Sequence, residues 1–365
     1  MEIKTPQLYI NEKDATKQVG KYISGKIKKA LIVWSETARK VAAENIITGL
    51  EKENIEYEEI LFQGFPTEKK AEEYAAKAKS EGFDGIIAVG GGKVMDVSKA
   101  AGNIAGIFIV TVPTIAATCA AWAAVSIIYT EEGDFEQFYA NKRTANIVIA
   151  DTKIIAEASV RYIKAGIIDT MAKWYETSSG SRPSDSFANL IAVSNSKLAL
   201  DFLLKNSKET IRKLESGIID DTVAKTIDTI IYIAGNVGSY VGEKAYSGFA
   251  HPFYHSSRRI PDTRKILHGE LVAYGLLIQA VLEGKNSEEV KELIHVFSEI
   301  DEAFLLDEIG FDGDTEAKLR TVSKRIIDEF EVSPAIVQNL NEKAIVDAAF
   351  NVDRLVRDVR KENGF

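Results

Sequence analysis

Residues 85–113, GIIAVGGGKVMDVSKAAGNIAGIFIVTVP, decide the fold. The apolar run Gly85–Val89 ends in Gly90-Gly91-Gly92-Lys93. A helical pattern then runs through Val94–Ala101, and a second apolar run, Phe108–Val112, stops at Pro113. Two short apolar runs joined by a helix-length crossover make a strand–helix–strand unit, and such a crossover makes the strands parallel. Glycines at the end of a parallel strand let the backbone approach a phosphate, and the unpaired N–H groups of the helix start hold the anion. The turn is not G-x-G-x-x-G, because its three glycines are consecutive. It is not a Walker loop either, since Lys93 lacks the preceding spacing and a following Ser or Thr. A tight strand-to-helix turn that needs glycine only for packing is the competing reading.

Working outward, the same alternation continues. Lys29–Trp34 reads as a buried strand, Glu36–Glu53 as a helix, Ile55–Phe65 as a strand and Glu68–Ser80 as a helix. Downstream, Ser126–Tyr129 and Phe135–Tyr139 form a hairpin joined by Glu131–Asp134, and Ala145–Ala150 is a further strand. The pattern predicts a Rossmann-like α/β part with a parallel sheet covered on both faces. After about Asp151 strand signals nearly vanish. Helical spacing dominates from Val160, over Leu190–Leu204, Thr222–Val241, Leu271–Leu282, Val290–Ile300, Lys318–Phe330 and Ala344–Val359. Two domains are expected, an α/β domain over 1–155 and a helical one over 156–365, as the length of 365 residues suggests.

Hydrophobic content of 45% and charged content of 27% are those of a globular enzyme. A net charge of -9 argues against a nucleic-acid surface. No uninterrupted apolar run approaches the roughly 20 residues of a membrane span, and the start MEIKTPQLYI lacks a signal peptide's apolar core. A cytoplasmic protein without membrane partners is expected. The single cysteine, Cys119, excludes an internal disulfide and a thiolate zinc cage.

Three of the four histidines, His251, His255 and His268, fall in one short stretch, AHPFYHSSRRIPDTRKILHGE. Clustering of the scarce residue points to a metal or acid–base site. Spacing alone suggests His251 and His255 as an i,i+4 pair of ligands. His295, in ELIHVFSEI, reads as structural.

Several segments together resemble the glycerol dehydrogenase-like branch of the iron-containing alcohol dehydrogenases. They are GGGKVMDVSKA, VPTIAATCAAWAAVSIIYTEEGDF, IVIADTKIIAEASVRYIKAGIIDTMAKWYE, AHPFYH and ILHGELVAYG, which span roughly residues 85–276 in the family's order. The resemblance implies a dehydroquinate synthase-like two-domain fold with a dinucleotide across the interdomain cleft. It places Gly91, Gly92, Lys93, Val94 and Met95 at the pyrophosphate. Thr114, Ile115, Ala116 and Ala117, with Ala123, Val125 and Tyr129, would touch the cofactor. It assigns a divalent metal to Asp169, His251 and His268, and makes His255 a neighbouring proton relay or supporting group. An Asp plus two His suits zinc first, with iron or manganese also compatible. A small-molecule substrate and a homo-oligomer are likewise implied.

The chain departs from glycerol dehydrogenases at two places. Where those enzymes carry a polyol-binding aspartate, this one has Cys119, followed by Ala120, Ala121 and Trp122. The stretches ATCAAW and DTMAKWYE are similar to hydroxycarboxylate dehydrogenases, which favours a 2-hydroxy or 2-oxo acid over glycerol. Cys119 is then a pocket-wall residue that shapes the substrate site, Trp122 and Trp174 help to form that pocket, and Arg258 and Arg259 are placed to fork a carboxylate. The second departure is Ser35, which stands where NAD-preferring relatives hold an acidic residue, with Glu36, Arg39 and Lys40 close by. Both NAD and NADP are therefore compatible. A lyase or cyclase of the dehydroquinate synthase type is the alternative of a different class. It would need a denser cationic phosphate pocket. A non-catalytic nucleotide- and metal-binding protein is disfavoured, because all three ligands are present.

Overall fold

The computed structural model describes residues 2–179, 186–241 and 248–362. Six parallel strands form one sheet in the order β1-β8-β5-β4-β2-β3. They are β1 (Leu8–Glu12), β2 (Lys29–Trp34), β3 (Glu56–Leu61), β4 (Gly85–Gly90), β5 (Phe108–Pro113) and β8 (Ile147–Asp151). An antiparallel hairpin, β6 (Val125–Tyr129) and β7 (Phe135–Ala140), stands apart from the sheet.

Period-two alternation sends each central strand's side chains to two separate cores. Ile32, Trp34, Ile87, Val89, Val110 and Val112 pack with Ala38, Ala42 and Ile46 of helix Glu36–Lys52 on one face. Val33, Ile86, Ala88, Ile109 and Val148 pack with helices Glu68–Ser80 and Gly92–Ala105 on the other, in a core that continues into the helical part. Among the described residues, every element after β8 is helical. Both the parallel sheet and the all-helical remainder agree with the sequence reading.

The first strand is absent from that reading. Leu8–Glu12, LYINE, is short and half polar, and it is a strand because β8 lies beside it with Leu8 opposite Ile147. The expected helix 222–241 is interrupted by a π-helical segment, Thr229–Ile233. Helix Phe187–Glu215 is, by length and composition, apolar enough to cross a membrane, with a mean hydropathy of 1.3 over its most apolar 18 residues. Counting uninterrupted apolar residues misses it, because Lys197 and Asp201 break the run. Its Ala192, Ala199, Leu200 and Leu203 are buried against the helical part, while Phe187, Leu190, Leu198 and Leu204 are exposed.

Candidate active site

Helix Val160–Ser179 carries Asp169, Lys173 and Glu176. Their i, i+4 and i+7 spacing puts the three side chains on one face. Helix Ala250–Ser257 carries His251 and His255, and His268 is the first residue of helix His268–Leu282. Two glycines let these elements meet. A Cβ on Gly269 would lie 2.0 Å from the Ala165 carbonyl oxygen, and one on Gly166 would lie 2.2 Å from that of Ala116. Bare backbone is therefore required at both contacts of the turn before Asp169, one bringing in the start of the His268 helix and the other the loop after β5.

The ligand atoms of Asp169, His251 and His268 lie within 4.8 Å of one another. Both histidines approach Asp169 Oδ1 through Nε2, at 3.2 Å for His251 and 3.1 Å for His268. His251 is oriented from behind: Glu176 accepts from its backbone N–H at 3.1 Å and bonds its Nδ1. That contact leaves Nε2 as the ligating nitrogen, the arrangement in which a carboxylate fixes a metal-bound imidazole. Three converging donors of this kind, opening on a cleft, fit a catalytic divalent cation with one position free for water or substrate.

Electrostatics agree with a preformed cation site. Burial works to raise the Asp169 carboxyl, but the Lys173 ammonium and the two histidines outweigh it and hold it well below the usual carboxylate range. His251 is pulled down by burial and up by Glu176, and ends raised. His268 ends lowered, burial exceeding the help of Asp169. The Lys173 ammonium is buried 3.3 Å from Asp169 Oδ1 and 3.4 Å from His251 Nε2.

The triad opens on a cavity of about 520 Å³ that also reaches the glycine turn. Of the residues expected from the sequence, Gly91, Gly92, Lys93, Val94, Ile115, Ala117, Cys119, Ala123, Val125, Tyr129 and His255 line it with the triad. Met95, Thr114 and Ala116 are buried behind that lining. Buried Lys99 holds the 123–125 strap by donating to the carbonyls of Ala123 and Val125 at 2.8 and 2.6 Å. Its partner Asp96, 3.3 Å away, is pushed by burial up to about 6. Ser35 lines the cavity and caps helix Glu36–Lys52. The nearby cations are engaged by carboxylates, Arg39 with Glu59 at 2.8 Å and Lys40 with Glu36 at 2.7 Å.

His255 is not beside His251 at the triad. Its ring packs on Phe135 at 4.2 Å, on Phe330 at 6.0 Å and on Phe138 at 5.1 Å, and its buried Nδ1 has no partner among the described residues. Burial first, then His268, His251 and the Arg325 and Arg258 guanidinium groups, holds it well below the ordinary histidine range. The i,i+4 ligand pair is thereby replaced by His251 and His268. Neither Trp122 nor Trp174 lines the cavity. Trp122 instead packs on Tyr9 and Tyr232 and donates to Ser239 at 3.0 Å. Sequence reasoning missed Lys173, Glu176 and Tyr254. The D-x-x-x-K-x-x-E spacing from Asp169 held the signal for the first two. Tyr254 is revealed only by its 2.9 Å contact with Tyr129 and its ring 4.2 Å from His268.

Comparison with known proteins agrees with this geometry. Residues 6–152 match the family model for iron-containing alcohol dehydrogenase. The chain is 26% identical to a glycerol dehydrogenase of Citrobacter freundii over 358 residues, covering 97% of each chain. It is 32% identical to hydroxycarboxylate dehydrogenase A of Escherichia coli over 229 residues, covering 62% of this chain and 63% of that one. The crystal structure of glycerol dehydrogenase from Schizosaccharomyces pombe superimposes with a TM-score of 0.89 at 24% identity, covering 100% of this chain and 93% of that chain. Over residues 6–152 the chain is therefore similar to the iron-containing alcohol dehydrogenases, and over nearly its whole length to glycerol dehydrogenases.

Proposed function

We propose that this protein transfers a hydride reversibly between NAD(P) and a small polar alcohol or its carbonyl counterpart, with the reacting carbon at the Asp169–His251–His268 triad. The observation that carries the reading is the convergence of those three donors in the same cavity as the glycine turn. A divalent cation, zinc ahead of iron, would supply Lewis acidity there, and the dinucleotide would supply the hydride acceptor. Alcohol oxidation balances when the carbon-bound hydrogen leaves as hydride to nicotinamide and the hydroxyl proton leaves to solvent. The 1–155 part would hold the dinucleotide, with Gly91, Gly92, Lys93 and Val94 at its phosphates and Ile115, Ala117, Ala123, Val125 and Tyr129 along its length. The 156–365 part would hold the metal.

The chain's own residues prepare the site. Glu176 holds His251 in one tautomer, and Lys173 keeps Asp169 ionised. A neutral imidazole can accept a proton at one nitrogen while releasing one from the other, and His255 is assigned that relay. The relatives' names favour a polyol over the 2-hydroxy acid suggested by Cys119. The exposed apolar side of helix Phe187–Glu215 supports a homo-oligomer.

The test is oxidation of NADH and NADPH by a panel of C2–C4 aldehydes, ketones and 2-oxo acids, with zinc-loaded and chelated protein. Turnover that needs the metal and is lost in Asp169→Ala is expected. No turnover with any compound, or full turnover by Asp169→Ala, would sink the reading.

A further inference from the structure

Four arginines lie at or near the cleft, and one of them lacks a carboxylate. Arg259 pairs with Glu329 at 3.6 Å, Arg264 with Asp134 at 2.9 Å and Arg325 with Glu329 at 2.7 Å. Arg258 is buried, 3% exposed, at the end of helix Ala250–Ser257, and it lines the cavity. One terminal nitrogen donates to the Thr263 carbonyl at 3.1 Å, while Nε is buried without a partner among the described residues. No described carboxylate forms an ion pair with it. A guanidinium removed from water without a counter-ion carries a desolvation penalty that an incoming anion relieves. Its planar fork matches a carboxylate or phosphate oxygen pair.

The location suits a substrate group. Arg258 lines the same cavity as Lys93 at the glycine turn, as the triad, and as Tyr129 and Tyr254, whose hydroxyls meet at 2.9 Å. Tyr254 in turn packs on His268. The guanidinium therefore stands near both the dinucleotide turn and the triad. Lys173, bonded to Asp169 at 3.3 Å, adds a second buried cation to the lining.

We infer that Arg258 is an anion seat, and that the cleft selects small hydroxy or oxo compounds bearing a carboxylate or phosphate group. The anion binds Arg258 while the reacting carbon faces the triad. The inference rests on the oxidoreductase reading above. It also separates the two neighbouring arginines that sequence alone left equivalent: Arg259 faces outward and takes no part.

The test uses the zinc-loaded full chain and two matched pairs. Pyruvate is set against pyruvamide, which has the same shape without the charge, and dihydroxyacetone phosphate against dihydroxyacetone. The acid pair and the phosphate pair distinguish the two sources of anion. At least one anion is expected to exceed its neutral partner in kcat/KM by about tenfold or more, the weight of one charge-assisted hydrogen bond. Arg258→Met should collapse that ratio and Arg258→Lys should keep part of it. Ratios near one in both pairs for the wild type overturn the seat without needing any variant. A ratio unmoved by Arg258→Met also overturns it. So does an equal loss of NADH affinity, measured by fluorescence, which would assign Arg258 to the cofactor's pyrophosphate. Turnover of neutral carbonyls alone removes the seat and leaves the oxidoreductase reading standing; no turnover across the whole panel removes both.

Discussion

Glu302 shows how far burial reshapes single residues around this site. It is 2% exposed, its Oε2 has no partner among the described residues, and Glu270 lies close by. Burial, reinforced by Glu270, pushes its carboxyl up to about 9 from 4.5. Below pH 4.5 both folded and unfolded chains are protonated and the group is neutral to stability. Between 4.5 and 9 the folded state keeps a proton that the unfolded state releases, so stability falls as pH rises. Glu302→Gln removes this dependence. Its advantage over the wild type in urea melts should grow by about 3 kcal/mol between pH 5 and pH 8, on the order of 1.4 kcal/mol per pH unit with a discount for relaxation. An advantage that does not change with pH would show that Glu302 is ionised in the folded protein. The residue carries no mark of this in the sequence, because its burial is supplied by elements distant along the chain.

At the scale of elements, the site depends on how closely three helices pack. Glu270 bridges two of them. It accepts from Arg161 at 2.7 Å and from the Leu267 N–H at 2.7 Å, and so fixes the start of the helix that begins with His268. Gly269 sets the spacing, since a Cβ there has only backbone to meet. Gly269→Ala should lower zinc affinity by tenfold or more, within the range seen when support for a metal ligand is lost. It should also destabilise the fold by about 1–3 kcal/mol, the usual range for overpacking. Zinc titration with a competing chelator measures the first effect. Wild-type affinity in Gly269→Ala would mean that the helix start does not set the position of His268. The helices themselves were legible, because their apolar positions recur with helical spacing and their ends carry caps such as Ser35, Thr67 and Asn286. β1 was not legible, because five residues paired at a sheet edge leave no periodic signal of their own.

For the whole molecule, the cleft joins a sheet-borne turn to a helix-borne triad, so ligands bound there exist only on the folded chain. Zinc and dinucleotide should each raise the thermal midpoint, by roughly 2.7 kcal/mol of stabilisation at a hundredfold excess over Kd. Asp169→Ala should abolish the zinc increment and keep the dinucleotide increment. Loss of both in that variant, in scanning calorimetry, would mean that the two sites are not separable. By itself the sequence determined the parallel α/β part, the helical remainder and the glycine turn, which follow from local periodicity, a property that survives in a linear string. The three donors came from the family resemblance, because spacing alone pointed to His251 and His255 as the ligand pair. Tertiary structure alone decided that His255 sits in an aromatic cage, that Trp122 faces away from the cavity, and that Lys173 and Glu176 flank the metal donors. It also decided that Arg258 turns inward while Arg259 turns out. Each of those outcomes depends on which distant element supplies burial or a counter-charge, and adjacent residues of one type carry no mark of it.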